Sequence, residues 1–340
     1  MQIQHKSLLA ISVLGVLFGG FFAIEEWFFH ASFATTDAMI WTLPLLSYIF
    51  LALASTGVSI LYAYGSLKQI ASIEKHKLSL LGLALGLLIG AFAALATEMG
   101  SPLHLFWLLL SPNFISPIWW MGTLYSIELG LLAVKLLMLL LDKKSPLDIY
   151  LTYLTLAVAA LAGLVLGSVF GTVIGREGFS GLDASILTLI CALSTGVAMI
   201  LLTQSGDDRH FYISAARWLF ALLCLFVTLK WLYLMRAHVA IEPQWLHLTQ
   251  LLGVLLAWLS VKALPRIAAA LLLVCVFSIE FAFVIQGQLA VLGPKTSWFG
   301  SVVNYQANLA EMGIFIFSIS VAIIAVNIIV QGVPYLQSRR

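Results

Sequence analysis

The sequence has very little charge. Of its 340 residues, 9% are charged and 62% are apolar, whereas soluble proteins carry about 25% charged residues. A protein surrounded by water must cover itself with polar side chains, so most of the outer surface of this chain faces lipid. The composition excludes a soluble enzyme and a disordered scaffold. The net charge of +2 is too small to indicate a nucleic-acid partner.

The sequence also lacks the usual ligands of bound redox groups. Cys191, Cys224 and Cys275 lie inside apolar runs and form no CxxC pair, which excludes an iron–sulfur cluster and a disulfide framework. The histidines fall in loops, at helix ends or near the outer interface, so no pair of axial haem ligands is predicted. No Walker motif occurs. We therefore expect no bound metal and no ATP hydrolysis by this chain.

Ten apolar runs are long enough to cross a bilayer, which takes about 20 residues of helix. They lie approximately over Ser7–Trp27, Met39–Tyr64, Leu78–Thr97, Pro117–Leu141, Leu147–Ile174, Ala184–Thr203, Phe211–Met235, Leu246–Leu264, Ile267–Leu289 and Glu311–Val330. Pro265 separates the eighth and ninth runs, which together are too long for one span and therefore predict a short hairpin. The sequence thus predicts an all-α, polytopic bundle in one integral membrane domain, 1–340.

Basic residues lie mostly on one side of these spans. With Lys6 in the cytoplasm, that side also holds Lys68, Lys75, Lys77, Lys143, Lys144, Arg209, Lys262, Arg266, Arg339 and Arg340, and the other side holds Arg176, Arg236 and Lys295. Cytoplasmic loops are rich in Lys and Arg, so we expect both termini in the cytoplasm and the protein in the cell inner membrane. The first run could instead be a signal peptide cleaved after Ala34, but Glu25, Glu26 and Trp27 before that site favour a retained helix.

Ionisable side chains inside a span are costly in lipid and are therefore candidates for function. In the fourth span, Tyr125, Glu128 and Lys135 fall within about 80° of one another around the helix and share one face. Such a row suits proton transfer or the binding of a polar ligand, and charge neutralisation between neighbouring helices is the structural alternative. Glu26 and Glu280 lie toward the outer half of their spans and extend the predicted proton path.

Four glycines recur at every fourth position of the fifth span: Gly163, Gly167, Gly171 and Gly175. Small residues in such a stripe let two helices approach closely in lipid. The stripe predicts close packing against another helix of the bundle, with contact to a ligand or to another subunit as the alternatives.

The segment from Thr97 to Tyr125 contains three motifs: TEMGSPLH, then SPNFISPIWW, then Tyr125 in the following helix. Together they resemble the polysulfide reductase membrane-subunit (NrfD-type) family. The resemblance extends loosely over 39–204 and is supported by Trp41, Pro44 and Gly57 in the second span and by ALSTG at 192–196. The chain differs from the family at Ser101 and His104, where members usually carry arginine, and at Glu98, where aspartate is commoner.

The resemblance implies a quinol-oxidising or quinone-reducing anchor subunit that is not catalytic alone and works in a hetero-oligomeric respiratory complex. Its partners would be a periplasmic iron–sulfur protein and a catalytic subunit, with menaquinone or ubiquinone as substrate and no resident cofactor. It also implies the longer, ten-span branch, with a leading helix (1–38), a core bundle (39–204) and C-terminal helices (205–340). The expected site residues are Glu98 and Glu128 as proton acceptors, Tyr125, His104, Trp119 and Trp120 around the quinone, and Lys135, Glu280 and Glu26 along the proton path.

Two other functions remain open from the sequence. Ten spans with charges near their middle also suit an ion-coupled secondary transporter, although the two halves show no convincing inverted repeat. A purely structural membrane anchor without quinone chemistry is the third interpretation. Bound quinone in the purified protein would favour the first, and uptake by liposomes that contain this chain alone would favour the transporter.

Overall fold

The chain folds as a bundle of long helices. The structure is a computed structural model that describes residues 6–29, 33–35, 39–99, 102, 104–141, 146–173, 181–204, 209–236, 244–289 and 305–338, and within these ranges it has helices and no strand. In chain order the helices are α1 (Lys6–Phe29), α2 (Leu43–Leu67), α3 (Ala71–Lys75), α4 (Lys77–Glu98), α5 (His104–Leu110), α6 (Pro117–Leu140), α7 (Leu147–Gly171), α8 (Leu182–Thr203), α9 (Arg209–Arg236), α10 (Gln244–Ser260), α11 (Pro265–Phe281), α12 (Gly287–Leu289) and α13 (Leu309–Ser338). A π-helical turn, Ala282–Gln286, joins α11 to α12.

Nine of the ten predicted spans each coincide with one of these helices, and the predicted span Ile267–Leu289 covers α11, the π-helical turn and α12. Nine of the described helices are long and apolar enough to cross a membrane, and α10, with 17 residues, is a shorter apolar helix. The turn between α10 and α11 is the predicted hairpin: the amides of Ala263 and Leu264 both donate to the Ser260 carbonyl, and Pro265 begins the next helix. The prediction of an all-α, multi-pass membrane bundle is confirmed.

The start of α6 follows from its local sequence. The Ser116 hydroxyl accepts a hydrogen bond from the Trp119 amide at 3.5 Å, and Pro117 occupies the first helical position. A serine cap satisfies one of the unpaired amides of a helix N-terminus, and proline has no amide to leave unpaired there. This cap fixes where α6 begins and therefore at what depth its polar side chains lie.

The central helix of the bundle is α2, which is buried along almost its whole length. It packs against α4, α7, α8 and α13. On one side of α2, α8 packs against α9 and α11, and α10 packs against both of those helices. On the other side, α13 packs between α4 and α1. α6 rests on α7 and α4. The hydrophobic core is therefore built mainly from α2, α4 and α8, and α1 faces lipid over most of its surface.

Glycines allow the closest helix crossings. A Cβ atom added at Gly57 of α2 would lie 1.8 Å from the carbonyl oxygen of Ala192 in α8, and one at Gly196 would lie 2.3 Å from the backbone of Gly57. In the predicted glycine stripe of α7, a Cβ at Gly167 would lie 2.5 Å from the Ala184 oxygen, again in α8. The packing role predicted for the stripe is confirmed for Gly163, Gly167 and Gly171, whereas Gly175 lies outside the described residues.

Because successive spans run in opposite directions, the ends of α1, α4, α9 and α11 meet the starts of α2, α8, α10 and α13. Several contacts join them, among them Lys230 at the end of α9 with Asp183 at the start of α8 (Nζ to Oδ2, 3.4 Å), and Gln288 after α11 with Trp41 before α2 (Oε1 to N, 2.9 Å). We call this the outer end, after the orientation predicted from the basic residues, and the opposite one the basic end.

Candidate functional site

Glu128 is a carboxylate in the interior of the bundle. Its side chain lies midway along α6 and has no exposed surface. Oε2 accepts a hydrogen bond from the Thr56 hydroxyl of α2 at 3.2 Å, and Oε1 has no hydrogen-bond partner among the described residues. A buried carboxylate with a single hydroxyl donor is poorly stabilised in its charged form. This environment favours a group that exchanges a proton or contacts a polar ligand.

Two tyrosines lie beside this carboxylate. Tyr125 is one helical turn before Glu128 on α6, and Tyr48 lies on α2; both side chains are fully buried. Their rings meet edge to face with centroids 6.0 Å apart. Neither hydroxyl has a hydrogen-bond partner in the described part of the chain. Buried hydroxyls are usually paired, so two unpaired ones next to an unpaired carboxylate oxygen mark this place as unusual.

A second interior carboxylate comes from α11. Glu280 is 1% exposed, and its two oxygens have no hydrogen-bond partner within the described ranges. It lies close enough to Tyr125 and to Cys191 of α8 to interact with them electrostatically, and Lys230 of α9 is near it as well. Polar side chains from α2, α6 and α11 therefore approach one another inside an apolar bundle. We call Tyr48, Thr56, Tyr125, Glu128 and Glu280 the central polar group.

The helix crossings explain how this group is assembled. Thr56 directly precedes Gly57, where α2 and α8 touch, and its methyl group faces Gly163 of α7 at 3.5 Å from the position of a Cβ there. Its position is thus held by two neighbouring helices while its hydroxyl reaches Glu128. Tyr125 and Glu128 share one face of α6 because they are three residues apart.

The carboxylates at the outer end are connected differently. Glu311, at the start of α13, accepts hydrogen bonds from the Ala34 amide (3.0 Å), the Asn308 amide (3.1 Å) and the Tyr305 hydroxyl (2.7 Å). Burial, together with this bond to Glu311, raises the pKa of Tyr305, which keeps its hydroxyl a donor. Glu311 therefore has a structural role, since it ties the segments before α2 and α13 together.

Two predicted site residues lie near Glu311. Glu98 ends α4 and is close to Glu26 of α1, to Glu311 and to the backbone amides that begin α2. Glu26 is 8% exposed. The three carboxylates thus belong to one region of the outer end, separate from Glu128. The sequence predicts both Glu98 and Glu128 as proton acceptors. The structure places Glu98 at the outer end of α4 and Glu128 in the interior of the bundle, midway along α6.

Lys135 lies on the same buried face of α6 as Tyr125 and Glu128 but toward the basic end. Its ammonium group donates to Asp148 Oδ1 at 2.6 Å and to the Thr152 hydroxyl at 2.5 Å, both on α7, and lies 5.8 Å from the centre of the Tyr62 ring. Seven residues of helix separate it from Glu128, about 10 Å along the axis. The lysine is therefore paired with α7 and does not contact the central polar group directly.

The aromatic residues predicted around the quinone surround the start of α6. Trp119 is 9% exposed and packs its ring on Phe114 with centroids 5.1 Å apart. Trp120 is more exposed, at 39%, and its indole nitrogen donates to the Phe114 carbonyl at 2.9 Å. His104 begins α5, and its side chain lies outside the described residues.

Sequence reasoning missed Tyr48 and Thr56, which complete the central polar group. They carry no charge, so a search of the spans for ionisable side chains does not select them. A signal was present: hydroxyl side chains are frequent in this span, at Ser47, Ser55, Thr56 and Ser59, and each of them is buried. In the described part of the chain, no cluster of three or more His, Cys, Asp or Glu side chains could hold a metal ion.

Comparisons with known proteins give one informative result. No family model matches the chain, and no curated protein does. Among solved structures, the bd oxidase from Geobacillus thermodenitrificans is similar in fold, with a TM-score of 0.54 over 97% of this chain and 98% of that chain, at 13% sequence identity. At this identity the likeness concerns the arrangement of helices alone. The chain is a multi-pass membrane protein whose helices follow a path also found in that oxidase.

Proposed function

We propose that this chain is the quinone-reactive membrane subunit of a respiratory oxidoreductase in the cell inner membrane. In this proposal it belongs to the polysulfide reductase membrane-subunit (NrfD-type) family and exchanges electrons with an iron–sulfur protein at the outer face. The bd oxidase that shares its fold is also an oxidoreductase, which agrees with such a role.

One observation carries the proposal: three buried oxygen atoms, those of Tyr48, Tyr125 and Glu128 Oε1, have no hydrogen-bond partner among the described residues. Each unpaired buried group costs about 1–3 kcal/mol of stability. A purely structural anchor would gain stability from apolar residues at these positions. Quinol oxidation, in contrast, needs groups that bond two ring oxygens and receive two protons.

Within this function, Glu128 accepts a proton and Tyr125 bonds a quinone oxygen. Glu98 is a second proton acceptor at the outer end, and Glu26 and Glu280 belong to the proton path. Lys135 would extend that path toward the basic end through Asp148. His104, Trp119 and Trp120 would border the quinone where it enters from the lipid.

The test compares Glu128→Gln with Glu25→Gln in membranes that contain the complete complex. The glutamine keeps the shape of the side chain but accepts no proton, so we expect quinol-dependent turnover to fall roughly 100-fold or more. Glu25, at the outer end of α1, is half-buried and serves as the matched control. The amount of chain in the membrane should be unchanged in both variants.

Normal turnover in Glu128→Gln would remove Glu128 from the mechanism. Extraction of quinone from the purified complex tests the function itself, because a structural anchor would yield none. Solute uptake by liposomes that contain the chain alone would instead support the transporter.

A further inference from the structure

A cleft lies at the outer end, lined by residues of α8, α9, α10 and α11 and of the π-helical turn that follows α11. Its lining combines the aromatic rings of Trp231 and Phe283 with the polar side chains of Lys230, His247 and Gln250. This mixture of apolar surface with a few polar groups is typical of small-molecule sites. The π-helical turn after α11 supplies part of the wall, and such turns are frequent at functional sites. We call it the α9–α11 cleft.

The hydrogen bonds of Gln250 determine which nitrogen of His247 carries the hydrogen. Gln250 Nε2 donates to the Ser278 carbonyl at 2.9 Å and to the Ser278 hydroxyl at 3.1 Å. Its Oε1 atom therefore faces His247 Nδ1, at 3.3 Å. Because an amide oxygen only accepts, Nδ1 must donate, and Nε2 of the neutral imidazole is then an acceptor. Nε2 is buried and has no hydrogen-bond partner in the described part of the chain.

The ammonium group of Lys230 in the cleft is already paired with other groups of the chain. Lys230 Nζ lies 3.4 Å from Asp183 Oδ2 and 4.7 Å from the centre of the Phe283 ring. The ion pair offsets its charge, and the ring stabilises what remains. An anionic headgroup would have to compete with Asp183 and would meet the lone pair of His247. The lining thus fits a neutral ligand that donates a hydrogen bond to His247 and stacks on aromatic rings.

We propose that the α9–α11 cleft, which adjoins the central polar group at Glu280, binds the ring of a hydroquinone with an apolar tail. One ring hydroxyl donates to His247 Nε2, the ring packs between Trp231 and Phe283, and the tail leaves toward the lipid. Binding at this cleft involves no electron transfer, so the proposal does not depend on the function of the complex.

The test is calorimetric titration of the purified chain in detergent with ubiquinol-1, a hydroquinone that has one isoprenoid unit. We expect its dimethyl ether and the oxidised ubiquinone-1 to bind about tenfold more weakly, because neither has a hydroxyl to donate to His247. His247→Leu should weaken ubiquinol-1 to the same degree and leave the dimethyl ether unchanged. His210→Leu is the matched control, since His210 is exposed at the basic end.

Equal binding of ubiquinol-1 and its dimethyl ether by the native chain would overturn the proposal without any variant that must fold. A second result would also overturn it: dioleoylphosphatidylglycerol displaces ubiquinol-1, and the binding of this lipid is lost in Lys230→Met but kept in Lys68→Met. The cleft would then hold an anionic lipid. If Glu128→Gln abolishes turnover but binds ubiquinol-1 normally, both proposals stand. If binding fails while turnover still depends on Glu128, only the cleft proposal is wrong.

Discussion

Replacing Gly57 with alanine should push α2 and α8 apart at the point where they cross. The new methyl carbon would lie 1.8 Å from the Ala192 oxygen, 2.6 Å from the Ala192 carbonyl carbon and 2.9 Å from the Gly196 Cα. Ordinary contacts between such atoms are about 3.5 Å, so α2 and α8 would have to move apart by roughly 1.5 Å. All of the obstructing atoms belong to backbone, which cannot rotate away as a side chain does.

The expected cost is that of an overpacked core, about 1–3 kcal/mol. For a chain of this size each kcal/mol lowers the melting temperature by roughly 2–4 °C, so we expect a decrease on the order of 5 °C. Gly130→Ala is the control: it is also a mid-helix glycine, but a Cβ there meets nothing within 4 Å. Since alanine is the better helix former by about 1 kcal/mol, Gly130→Ala should melt at the native temperature or above it.

The chain has its own reporters for this measurement. Cys191 and Cys275 are buried free thiols. Cys224 is a third free thiol that is only half-buried, so it is replaced by serine in every variant and in the reference chain. A thiol-reactive fluorophore then labels the two buried thiols only as the bundle opens, and its fluorescence on heating records unfolding in detergent. If Gly57→Ala melts within a degree of the native chain while Gly130→Ala behaves as expected, the α2–α8 crossing is looser than its geometry indicates.

Three further variants test other contacts. Gln288→Leu removes the oxygen that accepts hydrogen bonds from the Ile40 and Trp41 amides, at 3.0 and 2.9 Å. We expect it to lower the free energy of unfolding by about 1–3 kcal/mol, which the same fluorophore assay would show as a lower melting temperature. An unchanged melting curve would mean that another acceptor replaces the Gln288 oxygen. Tyr305→Phe deletes one of the three donors to Glu311 and should speed protease cleavage near residues 305–308, and equal cleavage rates would contradict the tie described for Glu311. Lys135→Met should change the melting temperature by less than Gly57→Ala does. The carboxylate of Asp148 is half-exposed, so water at the basic end can solvate it when the lysine is removed. A larger decrease would show that the Lys135–Asp148 ion pair is shielded from water.

The spans could be predicted because lipid imposes a length and an apolar composition on every helix that crosses it. Partner choice could not, because apolar side chains on different helices look alike in the sequence. The glycine stripe of α7 predicted a close neighbour, yet nothing in its spacing distinguished α8 from the other helices. The contact of Gly167 with Ala184 of α8 is a result of tertiary packing.

The candidate site shows the same difference between what the local sequence predicts and what only helix packing determines. The shared face of Tyr125, Glu128 and Lys135 follows from helical periodicity, and all three side chains are buried as that face requires. Their partners lie on other helices, where no local spacing connects them: Thr56 on α2 bonds Glu128, and Asp148 on α7 bonds Lys135. Local sequence thus determines the direction of a side chain, and tertiary packing determines what it meets.

The pairing of the first and last spans has a consequence for biosynthesis. The buried residues of α1 recur on one face, and that face meets α13, where a Cβ at Gly19 would lie 2.1 Å from the Gly313 oxygen and one at Gly15 would lie 2.2 Å from the Ser320 hydroxyl. Spans enter the membrane in the order of synthesis. α1 must therefore wait in the bilayer, with its glycine face covered by lipid or by an insertion chaperone, until α13 leaves the ribosome. A ribosome that stops before α13 would release a chain whose first helix has lost its main partner.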